Sequence, residues 1–129
     1  MAIFNSDVSY TSKPDLIIGD GVQTENVKPT ADTAYKRGDL LVVGTGNVAT
    51  HSSTAADWHV VCAADISVAQ ANAGYEIPVY TQGEISVHAV TLNGVALTTA
   101  QKNTARQRAN QATAIELRKV AGETYGYGR

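Results

Sequence analysis

Two short apolar runs, each beside a glycine-centred turn, constrain the fold of this chain most. The first is Tyr35–Gly44, with the sequence YKRGDLLVVG, and the second is Ile77–Ile85, with the sequence IPVYTQGEI. Short runs rich in Val, Ile, Leu and Tyr and bounded by glycine are typical of β-strands rather than helices. We therefore predict a mainly β domain with strands at both runs.

Further strands follow from shorter patterns. Trp58–Ala64, with the sequence WHVVCAA, is an apolar run without alternation, which is typical of a strand buried on both faces. Val48–His51 can return as a hairpin partner after a glycine-rich turn. A second hairpin is predicted from Glu76 to Val90 with its turn at Gln82–Gly83, and Ile115–Val120 is predicted as the last strand.

One segment near the C-terminus, Ala100–Ala112, is predicted to be a helix with Thr98 or Thr99 as its N-cap. The apolar face of this helix consists of alanines and is narrow. We therefore expect the helix to pack shallowly against the sheet.

Composition divides the chain into an arm, a compact domain and a tail. Residues 1–14 are polar and aperiodic, and we interpret residues 1–34 as an extended, partly disordered N-terminal arm. The compact β-rich domain is predicted at residues 35–121. Residues 122–129 are glycine-rich and are predicted to form a flexible C-terminal tail.

Charge is unevenly distributed along the chain, although the net charge is only −2. Residues 1–35 and residues 36–97 each carry five acids and two bases, whereas residues 98–129 carry two acids and six bases. The acidic bulk argues against nucleic-acid binding through net charge. Lys102, Arg106 and Arg108 are candidates for electrostatic contact with an acidic neighbouring surface. The alternative is a solvated helix face.

No grouping of reactive residues predicts catalysis, a metal site or a cofactor. The histidines His51, His59 and His88 lack the spacing of a zinc site. The one cysteine, Cys62, excludes an intrachain disulfide, and its apolar surroundings favour a buried hydrophobe over a nucleophile. No apolar run is long enough to span a bilayer and no secretory signal is visible. We therefore expect a protein that is not an enzyme, has no membrane partner and assembles in a reducing cytoplasm.

Three segments carry a resemblance to a known family. They are Arg37-Gly-Asp-Leu-Leu41, Cys62-Ala-Ala-Asp65 and Pro78-Val-Tyr-Thr-Gln-Gly-Glu-Ile85. Followed by a short helix and a closing aliphatic strand, this order resembles the bacteriophage lambda-type head decoration family of capsid cement proteins. The resemblance covers roughly residues 15–120. Ile85 departs from the family pattern, which has an aromatic residue there, and the helix is poorer in Leu.

The resemblance implies a mainly β fold of the β-clip type with an extended N-terminal arm and a short C-terminal helix. It also implies a homotrimer at the threefold and quasi-threefold positions of an expanded icosahedral phage head. The partner would then be the major capsid protein, on the outer surface of a virion assembled in a bacterial cytoplasm. Such a protein stabilises the shell against internal DNA pressure.

An isolated apolar patch in the arm suits this implied function. Leu16, Ile17, Ile18 and Val22 are candidate coat-binding residues, because an extended segment can add as a strand to an exposed sheet edge. Three arms on one trimer would raise the effective concentration of each. The alternative is that the patch packs back on its own domain.

Two other functions are left open by the sequence. The first is a virion surface module that binds a host receptor or glycan, although only Trp58 and scattered tyrosines supply the aromatic residues such sites use. The second is a trimeric β-clip enzyme that hydrolyses nucleotides. That activity needs a positioned carboxylate and a phosphate-binding motif, and the sequence places neither.

Overall fold

Strands that are distant in sequence pair in this fold, and the pairing sets its architecture. The computed structural model describes residues 15–119. Within that range the protein is mainly β, as predicted. The elements are β1 (Gln23–Pro29), β2 (Leu40–Gly44), a 3-10 turn (Thr45–Asn47), β3 (Val48–His51), β4 (Val60–Cys62), α1 (Val68–Asn72), β5 (Ile77–Ser86), β6 (Thr91–Leu92), β7 (Val95–Ala96), α2 (Thr99–Ala112) and β8 (Ala114–Arg118).

Five strands close into a small ring. The order along the sheet is β1, β3, β2, β4 and β5, and β5 then pairs with β1. β1 is parallel to β3, and the other neighbours in the ring are antiparallel. β8 lies outside the ring and runs parallel to the second half of β5, from Gln82 to Ser86. Closure pairs the edges that an open sheet of these strands would expose.

Two hydrophobic clusters lie on opposite faces of the sheet. The inner cluster receives a side chain from every strand of the ring, which places it inside the ring. These side chains are Val27, Leu41, Ala49, Cys62 and Val79. The outer cluster contains Val61 and is covered by Ala105 and Ala109 of α2. Because all three residues of β4 are buried, the prediction of a strand buried on both faces is confirmed.

The sequence predicts a hairpin here, with its turn at Gln82–Gly83. Instead, β5 is one continuous strand of ten residues that runs straight through the expected turn. Its register with β1 shifts, because Gln82 pairs with Gln23 whereas Tyr80 pairs with Thr24. Thr81 is therefore the extra residue of a β-bulge. A bulge shifts the alternation of side chains by one position, so Ile85 joins Tyr80 on the face of the outer cluster.

Gly83 explains why the hairpin prediction is wrong. Its φ angle is +125°, and a Cβ atom there would come within 2.7 Å of the Cα atom of Val22. The glycine lets two backbones approach closely inside a strand, which is a different use of glycine from a turn. The sequence pattern does not separate the two uses.

The compact fold begins before residue 35, which corrects the predicted domain boundary. Leu16 is 4% exposed and belongs to the outer cluster, and β1 is part of the ring. Residues 16–29 are thus structural rather than an extended arm. The polar residues 1–14 and the predicted tail at 122–129 lie outside the described residues.

The helix prediction is confirmed, and the structure decides between the two candidate caps. The Thr98 side chain accepts a hydrogen bond from the Gln101 backbone N–H at 3.2 Å, and the Gln101 side chain accepts one from the Thr98 N–H at 2.8 Å. This reciprocal pair is a capping box. Only Ala105 and Ala109 of α2 are buried, so the helix packs shallowly, as expected.

Candidate interaction surfaces

Arg37 joins the three segments that carry the family resemblance. Its backbone N–H donates to Oδ1 of Asp65 at 2.9 Å, and its Nη2 donates to the Tyr80 hydroxyl at 3.1 Å. The guanidinium carbon also lies 5.9 Å from the centre of the Tyr80 ring, within the range of a cation–π contact. The next residue, Gly38, donates its N–H to the Cys62 carbonyl at 2.9 Å. The motif residues therefore form one structural unit.

Asp39 is a buried anchor for two turns. It is 1% exposed and accepts hydrogen bonds from the backbone N–H groups of Lys36 and Gly94, both at 2.9 Å, and from the Thr91 hydroxyl. All three partners are donors, so both carboxylate oxygens of Asp39 act as acceptors. The Asp39 carboxylate therefore points into the fold rather than toward solvent.

Two histidines are held in networks. His51 stacks on Tyr35, with ring centres 5.0 Å apart, and its Nε2 lies 2.7 Å from the Ala34 carbonyl. Nδ1 of His88 lies 3.1 Å from Nζ of Lys102. Burial lowers the pKa of His88, and the positive charges of Lys102, Lys119 and Arg106 lower it further. Among residues 15–119, no three His, Cys, Asp or Glu side chains are grouped as a metal site requires.

The apolar patch proposed to bind coat protein lies against its own sheet. The Ser86 N–H donates to the Leu16 carbonyl at 2.8 Å, and the Ile18 N–H donates to the Glu84 carbonyl at 3.2 Å. Leu16 is buried, whereas Ile17, Ile18 and Val22 are half-buried. Residues 16–18 thus pair with β5 through an isolated antiparallel bridge between Ile17 and Ile85, so the alternative of packing back on its own domain describes this conformation.

The three basic residues proposed for electrostatic contacts are also tied to the protein's own fold. Nε of Arg106 donates to the Leu117 carbonyl at 3.2 Å, and Nε of Arg108 donates to the Trp58 carbonyl at 2.7 Å. Lys102 reaches His88, as described above. All three belong to α2, so their positive charges lie along one helix. Lys119, which the sequence analysis did not single out, is exposed and near enough to influence His88.

A shallow depression of about 280 Å³ lies between residues 53–56 and the first turns of α2. Hydroxyl, amide and alanine side chains line it, and it contains no charged group. Nothing in this lining selects a particular ligand.

No protein-family model matches this chain, and no curated protein matches it significantly. None of the helices within residues 15–119 is long and apolar enough to cross a membrane. A functional assignment therefore depends on the residues and geometry described above.

Proposed function

We propose that this protein is a phage capsid decoration protein. It binds the expanded icosahedral head as a homotrimer at threefold and quasi-threefold sites and stabilises the shell against the pressure of packaged DNA. The observation that carries the proposal is the unit around Arg37. Three motif segments that are up to about 40 residues apart meet there through the contacts to Asp65 and Tyr80.

This unit supports the proposal because it gives the resemblance a physical basis. A chance match of short motifs has no reason to bring its residues together, whereas residues that specify a common fold do. The hydrogen bond from Gly38 to Cys62 and the buried carboxylate of Asp39 lock the same region. We take the β-clip form of the fold as part of the proposal.

The residues that contact the coat need a revised assignment, because the apolar patch at Leu16–Ile18 already packs and hydrogen-bonds within its own domain. Leu16 contributes to the outer cluster, so its release into a coat subunit would remove it from its own core. We assign the patch the role of an anchor and the coat contact to the preceding residues 1–14. A trimer presents three copies of this segment, which raises the effective concentration of each.

Two N-terminal truncations test this assignment by co-sedimentation with expanded, DNA-free heads of the phage that encodes the protein. Removing residues 2–14 should leave the stability of the fold unchanged and abolish saturable binding to the heads. Removing residues 2–22 should in addition lower the stability, because Leu16 and the contact between Val22 and Gly83 are lost.

The full-length protein is the reference for both truncations and should saturate near one copy per coat subunit. If the protein without residues 2–14 binds heads as the full-length protein does, the assignment to these residues is wrong. If the full-length protein does not bind expanded heads at all, the decoration function is wrong, and a module binding a host receptor or glycan becomes the better explanation.

A further inference from the structure

The turn between β6 and β7 combines a chemically labile dipeptide with a buried carboxylate. Asn93 and Gly94 form the turn, with φ angles of +48° and +82°. Both residues are exposed, and a Cβ atom at Gly94 would meet nothing within 4 Å. The Gly94 N–H nevertheless points inward and donates to Oδ1 of Asp39 at 2.9 Å.

An Asn-Gly pair can rearrange without any other reactant than water. The Gly94 nitrogen loses its proton and attacks the side-chain carbonyl carbon of Asn93, which forms a five-membered succinimide and releases the amide nitrogen as ammonia. Water then opens the ring at either carbonyl, giving aspartate or isoaspartate. Glycine favours the attack because it has no side chain to obstruct it. The sequence contains this dipeptide once.

We propose that Asn93 is a latent deamidation site whose rate is set by Asp39, through the hydrogen bond that Asp39 accepts from the attacking amide. The bond stabilises the protonated form of the Gly94 nitrogen. Removal of that proton would also create a negative charge about 3 Å from a buried carboxylate, where solvent screening is weak. Both effects suppress the first step while the turn is closed.

The modification would in turn release the carboxylate. Isoaspartate inserts an extra carbon into the backbone, so the two-residue turn no longer fits between β6 and β7. The Gly94 N–H then leaves Asp39, which loses one of its three donors. Because a buried charge with fewer partners is costly, the modified chain should be less stable than the original.

The test follows residue 93 by peptide mass spectrometry that separates asparagine, aspartate and isoaspartate, during incubation at mildly alkaline pH. Folded wild-type protein should deamidate at least roughly tenfold more slowly than the same chain in denaturant, which is the factor expected for one hydrogen bond to a charged acceptor. Folded Asp39→Asn protein should lose most of this protection. Asn47 provides an internal reference for deamidation in the same sample. It also has a positive φ angle, but the valine that follows it carries a side chain that obstructs the attack.

Thr91→Val is the matched control, because it removes another donor to Asp39 and keeps the Gly94 bond. It should deamidate at close to the wild-type rate. Equal rates in folded wild-type and folded Asp39→Asn protein would overturn the proposal, as would equal rates in folded and denatured wild-type protein. If Asp39→Asn does not fold, hydrogen exchange of the wild-type Gly94 amide decides. Protection supports the proposal, and exchange as fast as in an unfolded chain overturns it.

Discussion

Leu16 shows how one residue can decide where a domain begins. It lies seven residues before β1, yet it is buried in the cluster beneath α2. Truncation of a buried leucine to alanine costs about 2–5 kcal/mol. We expect Leu16→Ala to lower the free energy of unfolding by an amount in this range, measured by denaturant titration.

Ile18→Ala is the control for this prediction, because Ile18 lies two residues along the same segment and is only half-buried. It should cost less than half as much as Leu16→Ala. Equal effects of the two substitutions would mean that the segment does not dock as described.

Cys62 predicts a fall in stability at alkaline pH. Its pKa is raised from 9.0 to about 11, chiefly by burial, with the negative charges of Asp39 and Asp65 adding to the effect. Between these two values the unfolded chain loses a proton that the folded chain keeps, so the free energy of unfolding falls as pH rises. Denaturant titrations across this range should show the fall in the wild type and a smaller fall in Cys62→Ala. An identical pH dependence in both proteins would contradict the assignment to this thiol.

At the scale of residues, the sequence predicts the burial of some side chains and not of others. The burial of Cys62 followed from its apolar neighbours. The fate of Leu16 did not, because a short apolar patch suits either an intermolecular edge or the protein's own edge. Only the position of β5 in three dimensions separates the two.

At the scale of elements, the close packing of β5 predicts how much stability is lost when its glycine at position 83 is replaced. A Cβ atom at Gly83 would lie 2.7 Å from Val22, whereas one at Gly74 would meet nothing within 4 Å. Both glycines have positive φ angles, of 125° and 86°. Gly74→Ala should therefore cost only about 1 kcal/mol for its backbone conformation, whereas Gly83→Ala should cost several kcal/mol because two backbones must separate.

Denaturant titration of these two variants measures the difference. A cost at Gly83 no larger than that at Gly74 would show that the segment before β1 moves aside freely.

The same region shows which features of the elements the sequence predicts and which it does not. Several strands and the helix α2 followed from apolar patterns and caps, but the bulge at Thr81 depends on the register with β1, which local sequence does not encode.

At the scale of the whole molecule, the positive charge of α2 predicts salt-dependent binding to the shell. Lys102 is the cleanest probe, because Arg106 and Arg108 donate to backbone carbonyls and their loss would also affect stability. We expect Lys102→Glu to weaken head binding by ~0.5–1 kcal/mol per subunit at low salt, with the loss shrinking as salt is added.

Lys28→Glu changes the net charge equally from a position on β1 and is the matched control. Co-sedimentation over a range of salt concentrations compares the two variants. Equal weakening of head binding by both variants would mean that only the net charge matters. No weakening by Lys102→Glu would exclude α2 as a coat contact. The overall charge split was visible in the sequence, but the intramolecular partners of these bases were not, because they come from distant elements.

The pairing of β1 with β5 also has a consequence for synthesis. Thr24 and Tyr80 are register partners, so β1 pairs with a strand that leaves the ribosome more than 50 residues later. At typical translation rates β1 waits for several seconds before its partner exists. Long-range pairing of this kind also slows folding once the chain is complete. The ring can therefore close only late in translation, and the newly made β1 is exposed to other strand edges until then.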